Sequence, residues 1–345
     1  MGAAVRRPCR AGGHRSGPRL PCRGVRFAGF AGVPLMRIRS FAGLELVDAE
    51  PCLLGEGPTW DPVTGKLRWV DIRRGLLLEA AVDDSGVGRA REVLRVEGTL
   101  GAAVPAVGGG LLLATARHLA HVDGSGMVLG AVELISRGAG RRLNDGACDP
   151  AGRYLVGSLA LGDITGEEEL WRLEHDGSVT QLASGISLSN GLAWSPDGRV
   201  MYHVDTLAHQ ITARGYDVAS GAVGEPSMWL DCAADFPDGL TVDADGSVWI
   251  AFWGAGEVRC YSPEGELQSV QGTGASLTTS CEFVGPGLDQ LAITTAAADG
   301  DEPSDPGDSP HAGRVVIAHP GARGLPSTPW RPTPMADADP GLSIL

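Results

Sequence analysis

The sequence predicts an all-β fold, a six-bladed β-propeller. Three observations predict it: a hairpin motif that returns along the chain, a glycine at the turn of each copy, and strand-length apolar runs on both sides of that turn. The four clear copies lie at residues 59–70, 148–156, 194–202 and 242–250. Each is an apolar strand, a corner with Asp or Pro, a glycine and a second apolar strand. Glycine takes the positive-φ position of such a turn, and Asp or Pro shapes the corner before it. Weaker copies at residues 104–113 and 283–293 fill the gaps.

The turn glycines are then Gly65, Gly109, Gly152, Gly198, Gly246 and Gly287. Their spacing is roughly 40–50 residues, the period of a four-stranded blade. An unrelated β-sandwich also gives frequent strands, but not one turn motif at a steady period. The early strand near residues 44–47 is expected to pair with the last blade near residues 314–318. Closing the ring in this way leaves little exposed sheet edge.

Composition agrees. The chain has 345 residues, 43% of them hydrophobic, which supplies a substantial core, and all-β folds often run this long as one domain. The formal net charge of -14 argues against a nucleic-acid partner, whose phosphates it would repel, and is compatible with cation binding. No stretch is long and apolar enough to span a membrane. The expectation is a cytoplasmic protein with neither nucleic-acid nor membrane partners; the oligomeric state stays open. The seven cysteines are scattered and form no C-x-x-C pair, which speaks against a disulfide framework and a thiolate zinc site. Free thiols are expected, with Cys148 and Cys281 in the core.

Residues 1–40 differ from the rest. Arg6, Arg7, Arg10, Arg15, Arg19, Arg23 and Arg26 stand there without an acidic residue among them, and without the apolar run of a secretory signal. They are expected to be a disordered or mis-assigned extension, with Met36 as the true start and residues 41–345 forming the propeller catalytic domain. Residues 298–313 break the repeat with several acidic residues and prolines, and read as a solvated loop in the last blade. That segment lacks the ordered spacing of an EF-hand.

The repeat also gives a register. A polar residue followed by glycine stands ahead of each strong turn: Gly55-Glu56-Gly57, Asn144-Asp145-Gly146, Ser189-Asn190-Gly191 and Pro237-Asp238-Gly239. Asn144, Asn190 and Asp238 are equally far from their turn glycines, and Glu56 is one residue further. If this strand is the innermost of its blade, all four side chains point toward the mouth of the central channel. Converging carboxylates repel unless they hold a cation. Two carboxylates plus an amide oxygen suit one divalent cation, Ca²⁺, Mg²⁺ or Mn²⁺, and tolerate Zn²⁺. A lone Asn-Gly or Asp-Gly pair is ordinary turn chemistry; four in register point to a site.

These segments, together with Arg142-Leu143-Asn144 and Thr278-Thr279-Ser280-Cys281, resemble the family of senescence marker protein, gluconolactonase and luciferin-regenerating enzyme. The resemblance runs from about Leu44 onward and is specific as an ordered set. It implies a six-bladed propeller with one divalent cation in its channel. By motif match, it implies Glu56, Asn190 and Asp238 as metal ligands, and Arg142 and Asn144 as substrate-binding residues. One feature departs from the pattern. Animal members place a substrate-contacting glutamate shortly after the Gly-(Ser/Thr) pair of the third blade. Here the stretch from Gly157-Ser158 runs through Leu159, Ala160, Leu161 and Gly162, with Asp163 adjacent. That leaves the metal set intact and puts the substrate's identity in question.

Taken together, the expected activity is a metal-dependent lactonase that opens a sugar-acid (aldono-) lactone, a small-molecule substrate, to its acid. Asp238 is the expected catalytic base as well as a ligand. The alternatives are a non-catalytic calcium-binding regulatory protein and a propeller scaffold for a protein partner. A Ser-His-Asp hydrolase is disfavoured, because no G-x-S-x-G opens a helix. His203 and Asp205 share one face of a strand near the channel, where a supporting role competes with simple packing. Trp60, Trp69, Trp194 and Trp249 read as core fillers, and Trp253 as a candidate for the substrate mouth.

Overall fold

Every hairpin of the repeat opens a blade. The computed structural model describes residues 42–162, 166–299, 302–303, 309–336 and 344. The regular elements of the described residues are all strands. The inner strands of the six blades are Gly55–Asp61, Leu100–Pro105, Arg141–Cys148, Ser189–Trp194, Phe236–Val242 and Thr278–Val284. Each pairs antiparallel with the strand that follows its turn, and two further strands complete the blade. Blade one carries an extra short strand, Gly86–Val87.

The ring closes as expected. Strand Ala42–Leu46 pairs with Val316–His319, with Glu45 opposite Ile317 and Leu46 opposite Val316. Five of the six expected turn glycines are left-handed: Gly65, Gly109, Gly152, Gly198 and Gly246. The sixth is a correction. In the last blade the left-handed positions are Gly285 and Leu288, and not Gly287. That loop is reached by a different route, with the Leu288 amide donating to the Gly285 carbonyl at 3.0 Å.

Apolar residues of neighbouring blades meet in continuous clusters. One joins Leu112, Leu143 and Tyr154; another joins Trp249 and Phe283, whose rings meet edge to face at 5.7 Å. Trp60, Trp69 and Trp194 are buried between blades. Cys281 is buried and Cys148 partly so, and the described cysteines are free thiols. The residues after His319 were given no role by the sequence pattern. They cross the hairpin-turn end of the channel: Gly324 bridges to Asp243, Trp330 to Ala106, and the Arg331 amide donates to Gly152. Trp330 is fully buried there.

The feature that builds the site is a β-bulge. In all six inner strands the register with the second strand shifts near the start: between Glu56 and Thr59, Leu100 and Ala102, Leu143 and Gly146, Ser189 and Leu192, Pro237 and Leu240, and Thr278 and Ser280. An extra residue in one strand of a pair turns a side chain out of the regular alternation. Here that turn is toward the channel.

Glycine accompanies the bulge because the blades touch there. A Cβ on Gly101 would lie 2.5 Å from the Asn144 carbonyl oxygen, and one on Gly191 would lie 2.7 Å from that of Asp238. Both obstacles are backbone and cannot swing aside. Gly101→Ala is therefore expected to lower stability by roughly 1–3 kcal/mol through overpacking. Gly272→Ala is the control, since nothing lies within 4 Å of its Cβ position. Urea unfolding midpoints check the pair, and equal midpoints would contradict the close approach.

Candidate active site in the central channel

Side chains in or next to the bulges of four blades converge. Glu56, Arg142, Asn144, Asn190 and Asp238 line one cavity of about 270 Å³ at the start of the inner strands, and all five are buried. The expected site residues thus share one space. A larger cavity of about 630 Å³ lies toward the hairpin turns, where Leu325 and Pro326 of the C-terminal tail form part of its wall.

A chain of hydrogen bonds fixes the floor. Arg142 Nη1 donates to Asn144 Oδ1 at 2.7 Å and to the Leu143 carbonyl at 3.0 Å. Asn144 Nδ2 donates to Asn190 Oδ1 at 2.7 Å and to the Ser189 carbonyl at 2.8 Å. Asn190 Nδ2 donates to Thr206 Oγ1 at 2.8 Å, and Thr206 Oγ1 donates to the Pro237 carbonyl, also at 2.8 Å. The chain ends on the residue before Asp238. It sets the Asn190 amide so that its oxygen faces Asn144. An amide oxygen has two lone pairs, so Asn190 Oδ1 keeps one for a cation.

The carboxyls are strained electrostatically. Burial, with the Asp145 charge adding to it, pushes Glu56 up to about 8, against which the Gly57 amide and Arg142 pull. Asp238 is raised well above the carboxylate range by burial, then by Glu56 and Asp145, and Arg142 only partly offsets this. Burial raises Asp145 to about 6. Burial also lowers Arg142 to about 10, which leaves it a cation at neutral pH. Asp238 Oδ1 is buried without a hydrogen-bond partner. An orphaned carboxylate oxygen beside a second buried carboxyl and an amide oxygen fits a hard divalent cation. Among the described residues no three His, Cys, Asp or Glu side chains converge as a metal group. The proposed set contains only two of these, with the Asn190 amide as the third.

The neighbours of the site have structural duties. His203 Nε2 lies 2.8 Å from Ser189 Oγ, and burial lowers its pKa to about 3, so it stays neutral and braces the strand that carries Asn190. Asp205 accepts the backbone amides of Ser187 and Leu188, each at 3.1 Å, and fixes the entry to that strand. Trp253 does line the cavity. Of the acidic loop, Asp299 reaches the cavity wall, while Asp301, Asp305 and Asp308 lie outside the described residues, as do Asp163 and residues 1–41.

The sequence reading missed Asp145 and Thr206. Asp145 stood inside a quoted motif, and its position one residue after Asn144 was the available signal. Thr206 carries no motif of its own; only the fold brings it to Asn190.

The residues from 54 to 297 match the family model described as the SMP-30/Gluconolactonase/LRE-like region. The chain belongs to this family. Regucalcin of Danio rerio is 32% identical over 260 residues, covering 73% of this chain and 86% of the relative. A pentonolactonase of Haloferax volcanii is 34% identical over 265 residues, covering 74% of this chain and 86% of the relative. Among solved structures, the calcium-binding protein regucalcin from Agrobacterium tumefaciens superposes with a TM-score of 0.76 at 28% identity, covering 86% of this chain and 99% of that one. A luciferin-regenerating enzyme matches with the same TM-score at 25% identity, covering 84% of this chain and 99% of that one.

The raised carboxyls give a sign for metal binding. With Glu56 protonated up to about 8, a divalent cation binding at neutral pH must displace protons. Affinity is expected to weaken as pH falls, with proton release on binding. Titration calorimetry in buffers of different ionisation enthalpy checks this. A pH-independent affinity without proton release would remove these carboxyls from the ligand set.

Proposed function

We propose that this chain is a metal-dependent lactonase whose chemistry takes place on the channel floor. The observation that carries the reading is the buried cluster of Glu56, Asn190 and Asp238 with the Arg142 cation beside it. Glu56, Asn190 and Asp238 would hold one divalent cation. When bound, that cation supplies Lewis acidity and the positive charge that keeps the buried carboxyls ionised.

The protein's own groups do the rest. Asp238, with one carboxylate oxygen toward the cation, accepts a proton from the attacking water through the other. The water oxygen bonds to the lactone carbonyl carbon, the ring acyl C–O bond breaks, and the proton returns to the ring oxygen that leaves. Arg142 steadies the negative charge that develops on the carbonyl oxygen. Asn144 orients both Arg142 and Asn190 through its two amide hydrogen bonds. The relatives' names point to sugar-acid lactones as the substrate class, and the product is the open-chain acid.

Calcium binding without turnover is the second reading, favoured by the relatives named regucalcin. The buried Arg142 supports turnover, since a site that only stores calcium gains nothing from a cation beside its carboxylates, whereas an acyl-transfer site can use one against the developing oxyanion.

Two substitutions test the assignment. Asp238→Ala removes a ligand and the base together. General base catalysis alone is worth about 10²–10⁴-fold, so near-total loss of lactone turnover and loss of bound metal are expected. Arg142→Ala is expected to keep the metal while kcat/KM falls. A fall in kcat indicates oxyanion support, and a rise in KM alone indicates ground-state binding. Metal content beside steady-state kinetics decides. An Asp238→Ala protein that retains both metal and turnover would overturn the reading.

A further inference from the structure

The geometry points to Thr206 as a positioning residue of the channel site, whose hydroxyl holds the Asn190 amide and the strand of Asp238 in the arrangement that a cation requires. The inference rests on the metal-dependent reading and adds to it a residue that acts through its neighbours. Thr206 follows directly on the second strand of blade four, whose last residue, Asp205, stands opposite Ser189. Blades one and six have the same position, after Asp71 opposite Gly55 and after Thr295 opposite Thr278. In all three blades this residue donates its backbone amide to the leucine just before the inner strand. Ile72 donates to Leu54 at 2.9 Å, Thr206 to Leu188 at 3.1 Å and Ala296 to Leu277 at 2.9 Å. All three residues are buried. The blade thus meets its needs here with a backbone bond and an apolar side chain, as Ile72 and Ala296 show. The hydroxyl of Thr206 is the exception.

That hydroxyl has two bonds, and their direction is fixed. Asn190 Nδ2 donates to Thr206 Oγ1, and Thr206 Oγ1 donates to the Pro237 carbonyl, each at 2.8 Å. A carbonyl can only accept, so Pro237 takes the hydroxyl hydrogen and leaves Thr206 an acceptor toward Asn190. At the other end Arg142 can only donate, which it does to Asn144 Oδ1. The Asn144 amide hydrogens therefore face Asn190 Oδ1. Asn190 meets a donor on one side and an acceptor on the other, and one orientation of its amide satisfies both.

Without the hydroxyl, the buried Asn190 Nδ2 would lose its acceptor, and the amide would be held from the Asn144 side alone. A turned amide presents hydrogens where a cation needs an oxygen. The Pro237 carbonyl, on the residue before Asp238, would lose this donor at the same time. One hydroxyl thus ties a proposed ligand of blade four to the strand that carries a proposed ligand of blade five. Partners that hold metal ligands in this way are worth about 10–100-fold in affinity or activity.

The test uses the full chain and Mn²⁺ as the probe, titrated by calorimetry, with Asp238→Ala as the blank for binding outside the channel. Thr206→Val keeps the shape of the side chain and removes the hydroxyl, and Thr206→Ser keeps the hydroxyl. Thr206→Val is expected to bind Mn²⁺ about 10–100-fold more weakly than the parent, and Thr206→Ser to bind it nearly as well as the parent. Metal-free Thr206→Val is expected to remain folded and to unfold cooperatively in urea, since blade one carries the β-branched Ile72 at the same position. Parent affinity in Thr206→Val overturns the inference, and so does a loss that Thr206→Ser fails to restore. A Thr206→Val chain that is unfolded without metal also overturns it, because the hydroxyl is then a requirement of the fold. A parent chain that binds Mn²⁺ no better than Asp238→Ala sinks the metal-dependent reading itself and the inference with it.

Discussion

The innermost strand of a propeller blade sends its side chains alternately toward the two neighbouring blades, so regular pleating alone aims none of them down the channel. This protein solves that with a bulge at one depth on all six inner strands. Three of the bulges expose Asn144, Asn190 and Asp238 to one cavity, and Glu56 joins them from the residue before the bulge of its own strand. Gly101 and Gly191 let the neighbouring strands approach closely enough for those four to meet. The recurring polar-Gly pair is thus a packing device and a functional one at once. At Asn190-Gly191 and Asp238-Gly239 the polar residue lines the channel cavity, and the absent Cβ admits the next blade.

Bringing these groups together is unfavourable unless a positive charge joins them. Burial raises the pKa values of Glu56, Asp145 and Asp238, the Asp145 charge raises Glu56 further, both raise Asp238 further, and Arg142 compensates only in part. The interior of a propeller offers little relief by relaxation, because each ring position is fixed by two blades. The same rigidity orients the amides: the run from Arg142 through Asn144 and Asn190 to Thr206 leaves each one a single arrangement. Preorganised groups of this kind are what a developing oxyanion requires.

Much of this was legible in the sequence, for a physical reason. Blades repeat, so their turn glycines and bulges recur at a readable period, and a register argument transfers from one copy to the next. The register therefore places Glu56, Asn144, Asn190 and Asp238 at one depth, and the family resemblance adds Arg142. What escaped is what does not repeat. Thr206 acts through a single contact across blades. The tail after His319 is rich in proline, which cannot donate to a ladder, and so carries no strand pattern. Gly287 was assigned from a weak copy, and the backbone there turns at Gly285 and Leu288 instead.

The central claim is that the ring of bulges holds a single cation through oxygen atoms. Anomalous diffraction from crystals grown with Mn²⁺ or Zn²⁺ addresses it most directly. The account predicts one strong peak in the channel, with carboxylate oxygens of Glu56 and Asp238 and the amide oxygen of Asn190 at roughly 2.0–2.6 Å from it. A channel without such a peak at saturating metal, or an ion held by histidine, cysteine or Asp145, would contradict it.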